Sequence, residues 1–264
     1  MSASAKCWCP RSEGTAFLTT WHIHMLNARH GLTRILPEIR QAVREAVRQA
    51  SVHADLPDFD IVVKADPAGC IPGLSVGGSA PAPGLIEISL DPGRFAAPAL
   101  VRILVHELHH LIRWDGPGYG KSLGEALVSE GLAGHFVLQV LGGKPDRWDA
   151  TTPAQGSARA AMNKWSRRDY DHARWFFGSG DLRRWTGYGL GHRLIAEHLS
   201  HHPEENAVTL ACVQAEALRP VMRRLAGAEA ATPLSDEDSA AEAEDGKADE
   251  ASLETDTGPA SEEA

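Results

Sequence analysis

Hydrophobic and polar residues alternate over residues 17–26, with Trp21, Ile23 and Met25 on one face and His22 and His24 on the other, which predicts a strand or an extended entry segment. From 33 to about 54 the period lengthens. Ile35, Leu36, Ile39, Val43 and Val47 recur at three- and four-residue steps, predicting an amphipathic helix with Arg40, Arg44, Glu45 and Arg48 on its outer side. Period two returns over residues 59–64, ended by Asp66-Pro67, and over residues 85–90, closed as a turn by Asp91-Pro92-Gly93. Between them, residues 69–84 are rich in Gly and Pro and predict a loop. This loop and the strand after it read either as plain surface or as an edge along a cleft, where an extended peptide adds as a further strand.

A second helix starts near Pro98, a residue favoured in a first helical turn, and ends around 114–118. Its middle, Val101 to Ile112, is almost wholly Val, Ile and Leu apart from His106, Glu107, His109 and His110, so it should be mostly buried. Ser122 and Glu125 form a capping box for the next helix, which explains Glu125 without a ligand role. That helix continues through Ser129-Glu130-Gly131-Leu132-Ala133-Gly134-His135, whose small residues permit close approach of another helix. Further helices are expected over residues 157–177 and 189–201, with one or two short ones over 207–225. The sum is an α+β fold: a small N-terminal mixed sheet to about 117 and a mainly helical part from about 118.

Composition changes this picture at the two ends. Residues 228–264 hold 13 acidic residues against one Lys and no aromatic residue, so they have almost nothing to bury and are expected to be disordered. The net charge of −9 therefore lies in that tail, leaving residues 1–227 at about +3, with no basic footprint for nucleic acid. The tail reads as a solubilising extension, with docking of a protein partner as the alternative. Residues 1–14 read as a flexible leader without the basic and apolar regions of a secretory signal. No apolar run approaches the roughly 20 residues needed to span a bilayer. The four cysteines, Cys7, Cys9, Cys70 and Cys212, form no zinc-knuckle pattern and are expected as free thiols in a cytoplasmic protein.

The chemistry lies in His106-Glu107-Leu108-His109-His110. Residues four apart on a helix stand one turn above each other, so the imidazoles of His106 and His110 can meet at one metal ion, with Glu107 beside them to hold a water. A pair of histidines and a carboxylate in so apolar a setting needs such a partner. Glu130, on the small-residue face of the next helix, is the candidate for the third protein ligand. His109, roughly 100° around the helix from His110, is expected to be structural or to support a ligand. His135 should point elsewhere. His198, His201 and His202 resemble a cluster, but at a helix end before Pro203 they suit the helix dipole instead.

Nineteen residues separate His110 from Glu130. That spacing resembles the gluzincin branch of zinc metallopeptidases. The fuller likeness is to bacterial predicted zinc-dependent proteases of domain of unknown function 2268 (the YjaZ type). Ser129-Glu130-Gly131-Leu132-Ala133, Trp175-Phe176-Phe177-Gly178 and Arg184-Trp185-Thr186-Gly187-Tyr188-Gly189-Leu190-Gly191 carry it, over about residues 15–220. The resemblance implies a zincin-like metallopeptidase domain over residues 15–227, one Zn2+ held by His106, His110 and Glu130, and Glu107 as the catalytic carboxylate acting on water at the zinc. In the best-known gluzincins an Asp four residues after the ligand Glu orients a ligand His. Here that position is Gly134, which leaves the partner of the ligand histidines unassigned.

Such a site would hydrolyse peptide bonds, with a peptide or protein as substrate. Tyr188 is the candidate donor to the developing oxyanion, with His192 and Arg184 behind it; a buried aromatic between helices is the other reading of Tyr188. A metal-dependent hydrolase of a non-peptide amide or ester, and a non-catalytic metal-binding regulatory protein, are the alternatives.

Overall fold

The protein is described by a computed structural model covering residues 19–231. The leader, Cys7, Cys9 and the acidic tail from 232 onward lie outside the described residues.

Four strands form one sheet in the order β1-β2-β4-β3. β1 (Trp21–Leu26) lies parallel to β2 (Phe59–Ala65), and β2 parallel to β4 (Leu85–Leu90). The parallel crossover from β1 to β2 is made by α1 (Leu36–His53), whose buried residues Ile39, Val43, Ala46 and Val47 form the stripe its spacing predicts. His22 and His24 stand on the exposed side of β1 against Asp60, remote from the polar site of the molecule.

β3 (Val76–Ala82) is antiparallel to β4 and lies inside the segment expected to be a loop, which corrects that reading. Its composition misleads for a physical reason. A Cβ on Gly78 would lie 2.5 Å from Ile103 Cγ2 and 2.9 Å from Glu107 Oε1, so the strand can pass this close to the helix beneath it only without a side chain. The expected edge is therefore β3, while β4 is interior to the sheet.

α2 (Ala97–Trp114) packs under this sheet with α1, and almost every residue from Ile103 to Arg113 is buried. α3 (Leu123–Leu141) opens with the capping box: Ser122 Oγ accepts from the Glu125 amide, and Glu125 Oε2 accepts from the Ser122 amide at 2.8 Å. α3 divides the molecule. Phe136 and Val137 join the core of sheet, α1 and α2, whereas Leu123, Leu127, Val128 and Leu132 join a second core with the later helices.

The single helix expected over residues 157–177 is two elements, α4 (Ser157–Asn163) and a π-helical turn (Ala173–Phe177). Beyond α4 the carbonyls of the chain serve elsewhere. Trp165 O and Arg167 O accept from Gly124 N and Leu123 N, the open donors at the start of α3. α5 (Thr186–His201) begins three residues before the expected start at 189. The segment 207–212 is a series of turns, followed by one helix, α6 (Ala215–Ala231). α6 runs past 228, the expected start of the tail, because Glu229 is docked: its carboxylate accepts from Ala158 N at 3.0 Å. No helix among the described residues is long and apolar enough to cross a membrane.

Candidate metal centre

α2 presents His106 and His110 one turn apart on the side facing α3, with the ring nitrogens His106 Nε2 and His110 Nε2 3.2 Å apart. The position of α3 is set by its contact with α5. A Cβ on Gly131 would lie 2.2 Å from Gly191 O, and one on Gly191 would lie 2.4 Å from Leu127 O, so the two backbones touch. The small residues that marked this face in the sequence thus hold Glu130 against α2. Glu130 Oε2 lies 3.0 Å from His106 Nε2 and 3.5 Å from His110 Nε2.

These three buried side chains are the one group among the described residues able to converge on a metal ion. Their geometry fits zinc. Ligand atoms about 2.0–2.1 Å from a tetrahedral ion stand about 3.3 Å from each other, close to the separations of 3.0, 3.2 and 3.5 Å seen here. The donor set is also that of a site with a fourth position left for water or substrate.

Two further residues support these groups. Tyr119 Oη donates to Glu130 Oε1 at 2.7 Å, fixing which carboxylate oxygen faces the histidines. Ser129 Oγ lies 3.3 Å from His110 Nδ1. Glu107 stands at the other side of the pair, under β3, and only 5% of it is exposed.

Burial disfavours a charge on His106, but the hydrogen-bonded Glu130 carboxylate outweighs it, and the pKa is pushed up to about 9. Burial likewise works against ionisation of Glu130, yet His110 and His106 hold it well below the usual carboxylate range. Glu107 is pushed up, first by burial, against the pull of both imidazoles. Burial, then the carboxylates of Glu130, Glu107 and Asp149, keeps the Tyr188 hydroxyl well above its ordinary value and therefore protonated at neutral pH.

A cleft opens onto this group from two sides. One hollow of about 390 Å³ is walled by Ile71, Ile103, Trp148, Trp185 and Phe177. The other, about 410 Å³, is walled by Ala80, Pro81, Trp114, Tyr119 and His172. Gly78, His106, Glu107, Phe177 and Tyr188 belong to both, so His106 and Glu107 lie on the ridge between them. β3 forms one bank and the start of α5 the other.

Of the residues singled out in the sequence, His106, His110, Glu130, Glu107 and Tyr188 are brought together here. Arg184 lines the first hollow. His192 does not reach the cleft; it stacks on His135, whose Nε2 lies 3.1 Å from His192 O. His109 is a packing residue, its Nε2 3.0 Å from Ala207 O, as Arg113 is through Ala211 O. His198 pairs with Glu205 and stacks on His202, and these residues form no converging group. Phe177 was singled out only within the Trp175–Gly178 motif, and the sequence reading missed Tyr119, His172 and Asp149. Tyr119 had a faint signal, an aromatic in a glycine-rich turn between the two motif helices; the others had none, because their segments looked like helix surface or loop.

Nothing among curated proteins or solved structures matches the chain. A family described as "Predicted Zn-dependent protease (DUF2268)" matches residues 39–219, a span that includes α2, α3, α5 and β3 and covers well over half of the 264 residues. Holding that family's match over both banks of the cleft and every residue of the His-His-Glu group, the chain belongs to the predicted Zn-dependent proteases of DUF2268.

Proposed function

We propose that this protein is a zincin-like, gluzincin-type peptidase that binds one zinc ion through His106, His110 and Glu130 and hydrolyses peptide bonds. The observation that carries the reading is the meeting of these three side chains at tetrahedral spacing beside the free carboxylate of Glu107. When bound, zinc supplies Lewis acidity, polarising a carbonyl and bringing the pKa of a water towards about 7.

Glu107 would take a proton from a water beside it as that water adds to the carbonyl carbon, and would return the proton to the amine as the C–N bond breaks. Its burial supports both halves of the task, since raising a carboxyl above its usual range makes it a stronger base and brings its acid form closer to hand for the return of the proton. Tyr188, held protonated, donates to the oxygen on which negative charge develops. The peptide substrate runs along β3, the edge strand of the sheet, and places a side chain in each hollow. An extended strand with hollows on both sides of the ridge favours a peptide over a small amide or ester. The reduced thiol of Cys70 suits a cytoplasmic setting.

The test is metal content and hydrolysis together, on protein purified without a His-tag. About one zinc per chain and cleavage of a peptide library that stops on chelation are expected. Zinc binding with turnover only of small amides or esters would replace the peptidase reading with that of another hydrolase. No zinc at all would end both.

A further inference from the structure

His110 and His106 differ in the support given to the ring nitrogen that faces away from the metal position. His110 Nδ1 lies 3.3 Å from Ser129 Oγ. His106 Nδ1 is buried and has no hydrogen-bond partner. Metal-bound histidines are ordinarily held by a hydrogen bond from that second nitrogen, which sets both the tautomer and the tilt of the ring.

A second buried group is also unpartnered. Asp149, in the loop after α3, is only 2% exposed, and neither of its carboxylate oxygens has a hydrogen-bond partner. A buried carboxylate without a partner costs free energy, so its presence calls for a use. Its location is specific. A Cβ built on Gly134 would come within 2.6 Å of Asp149 Oδ2 and 2.8 Å of its Cγ. The carboxylate therefore occupies the space that a side chain at 134, one helical turn after Glu130, would fill. Any residue but glycine at 134 would expel it.

We propose that Asp149 is the positioning residue of the metal centre: the two groups, unpaired in this structure, become partners in the zinc-loaded protein, where the Asp149 carboxylate, delivered from the loop after α3 through the gap left by Gly134, accepts a hydrogen bond from His106 Nδ1. This rests on the zinc-site reading above and names the partner which that reading leaves open. Asp149 touches neither substrate nor metal. It acts by holding His106 in the tautomer that turns Nε2 towards His110 and Glu130. The loop is tied along this face of α2, since Arg102, one turn before His106, donates to the Asp146 carboxylate at 2.8 and 3.0 Å.

The test compares full-length wild type with Asp149→Asn, which keeps the shape and removes the charge. The zinc dissociation constant is measured by competition with a chromophoric chelator, and the thermal midpoint of each metal-free protein is recorded. Zinc binding about 10–100-fold weaker is expected, with the metal-free midpoint unchanged or raised. A residue serving only the packing of the loop would lower the midpoint and leave zinc affinity alone. Equal zinc affinity in the two proteins overturns the proposal.

A measurement on the wild type avoids dependence on the variant's folding. In spectra of zinc-loaded protein carrying 15N-histidine, His106 Nδ1 should bear a downfield, slowly exchanging proton. A freely exchanging proton there, or Nδ1 bound to the metal, also overturns it. A wild type that takes up no zinc defeats the peptidase reading itself, whereas zinc uptake insensitive to Asp149→Asn defeats only this inference.

Discussion

Replacing Glu107 by Gln keeps the side chain's shape beneath β3 and removes its ability to take a proton. Hydrolysis should fall by at least about 10²–10⁴-fold while zinc stays near one per chain, because Glu107 is not one of the three converging groups. Kinetics paired with elemental analysis check this, and loss of zinc together with activity would mean that the residue holds the site's structure. Tyr188→Phe removes only a hydroxyl. A loss of about 10²–10³-fold in kcat with little change in KM is expected if that hydroxyl meets the oxyanion. If kcat holds and only the thermal midpoint moves, Tyr188 is a packing aromatic, as its edge-on contact with Phe176 at 5.0 Å would also allow.

The elements that carry these residues are positioned by close backbone contacts that take no part in the chemistry. Gly131 against Gly191 is one of the tightest of them, since neither position has room for a methyl group. Gly131→Ala should separate α3 from α5 and cost about 1–3 kcal/mol, with zinc affinity falling because Glu130 sits one residue away. Urea unfolding and chelator competition read the two effects; an unchanged zinc affinity would show that Glu130 is held by its own contacts rather than by the helix crossing. The same interface contains the stacked rings of His135 and His192, 4.2 Å apart. Burial, then His135, pushes the His192 pKa down from 6.5 to about 4. A lowered pKa means that the folded state favours the neutral ring. The stability it contributes is present above pH 6.5 and is lost as pH falls towards about 4, worth roughly 1–2 kcal/mol after allowance for solvent screening. Urea midpoints at pH 7.5 and 5 should differ less in His192→Gln than in wild type; an identical difference would place the acid sensitivity elsewhere.

At the scale of the molecule, two cores meet along α3, and the metal centre lies where α2 of one faces that shared helix. Neither core depends on the ion, so chelation should leave the far-ultraviolet circular dichroism intact. The thermal midpoint should still drop, because zinc bound at about 1,000 times its dissociation constant adds about 4 kcal/mol of stability. Scanning calorimetry with and without chelator measures the shift, and coincident midpoints would mean that no ion is held in the folded state.

The amino-acid sequence by itself determined the helices that carry the chemistry. Four-residue spacing on an apolar helix placed His106 over His110, the capping box set the start of α3, and the small residues around Glu130 announced a close helix neighbour. Each of those signals is local, or a demand for space that composition displays. The tertiary structure alone decided which strand lines the cleft and which side chains complete it. β3 was hidden because Gly78 answers to α2, and Gly77 to the backbone of Gly69, rather than to strand propensity. Asp149 was hidden because the space it fills is defined by the absence of a side chain at Gly134, on another element. Such a relation exists only once both segments are folded against each other.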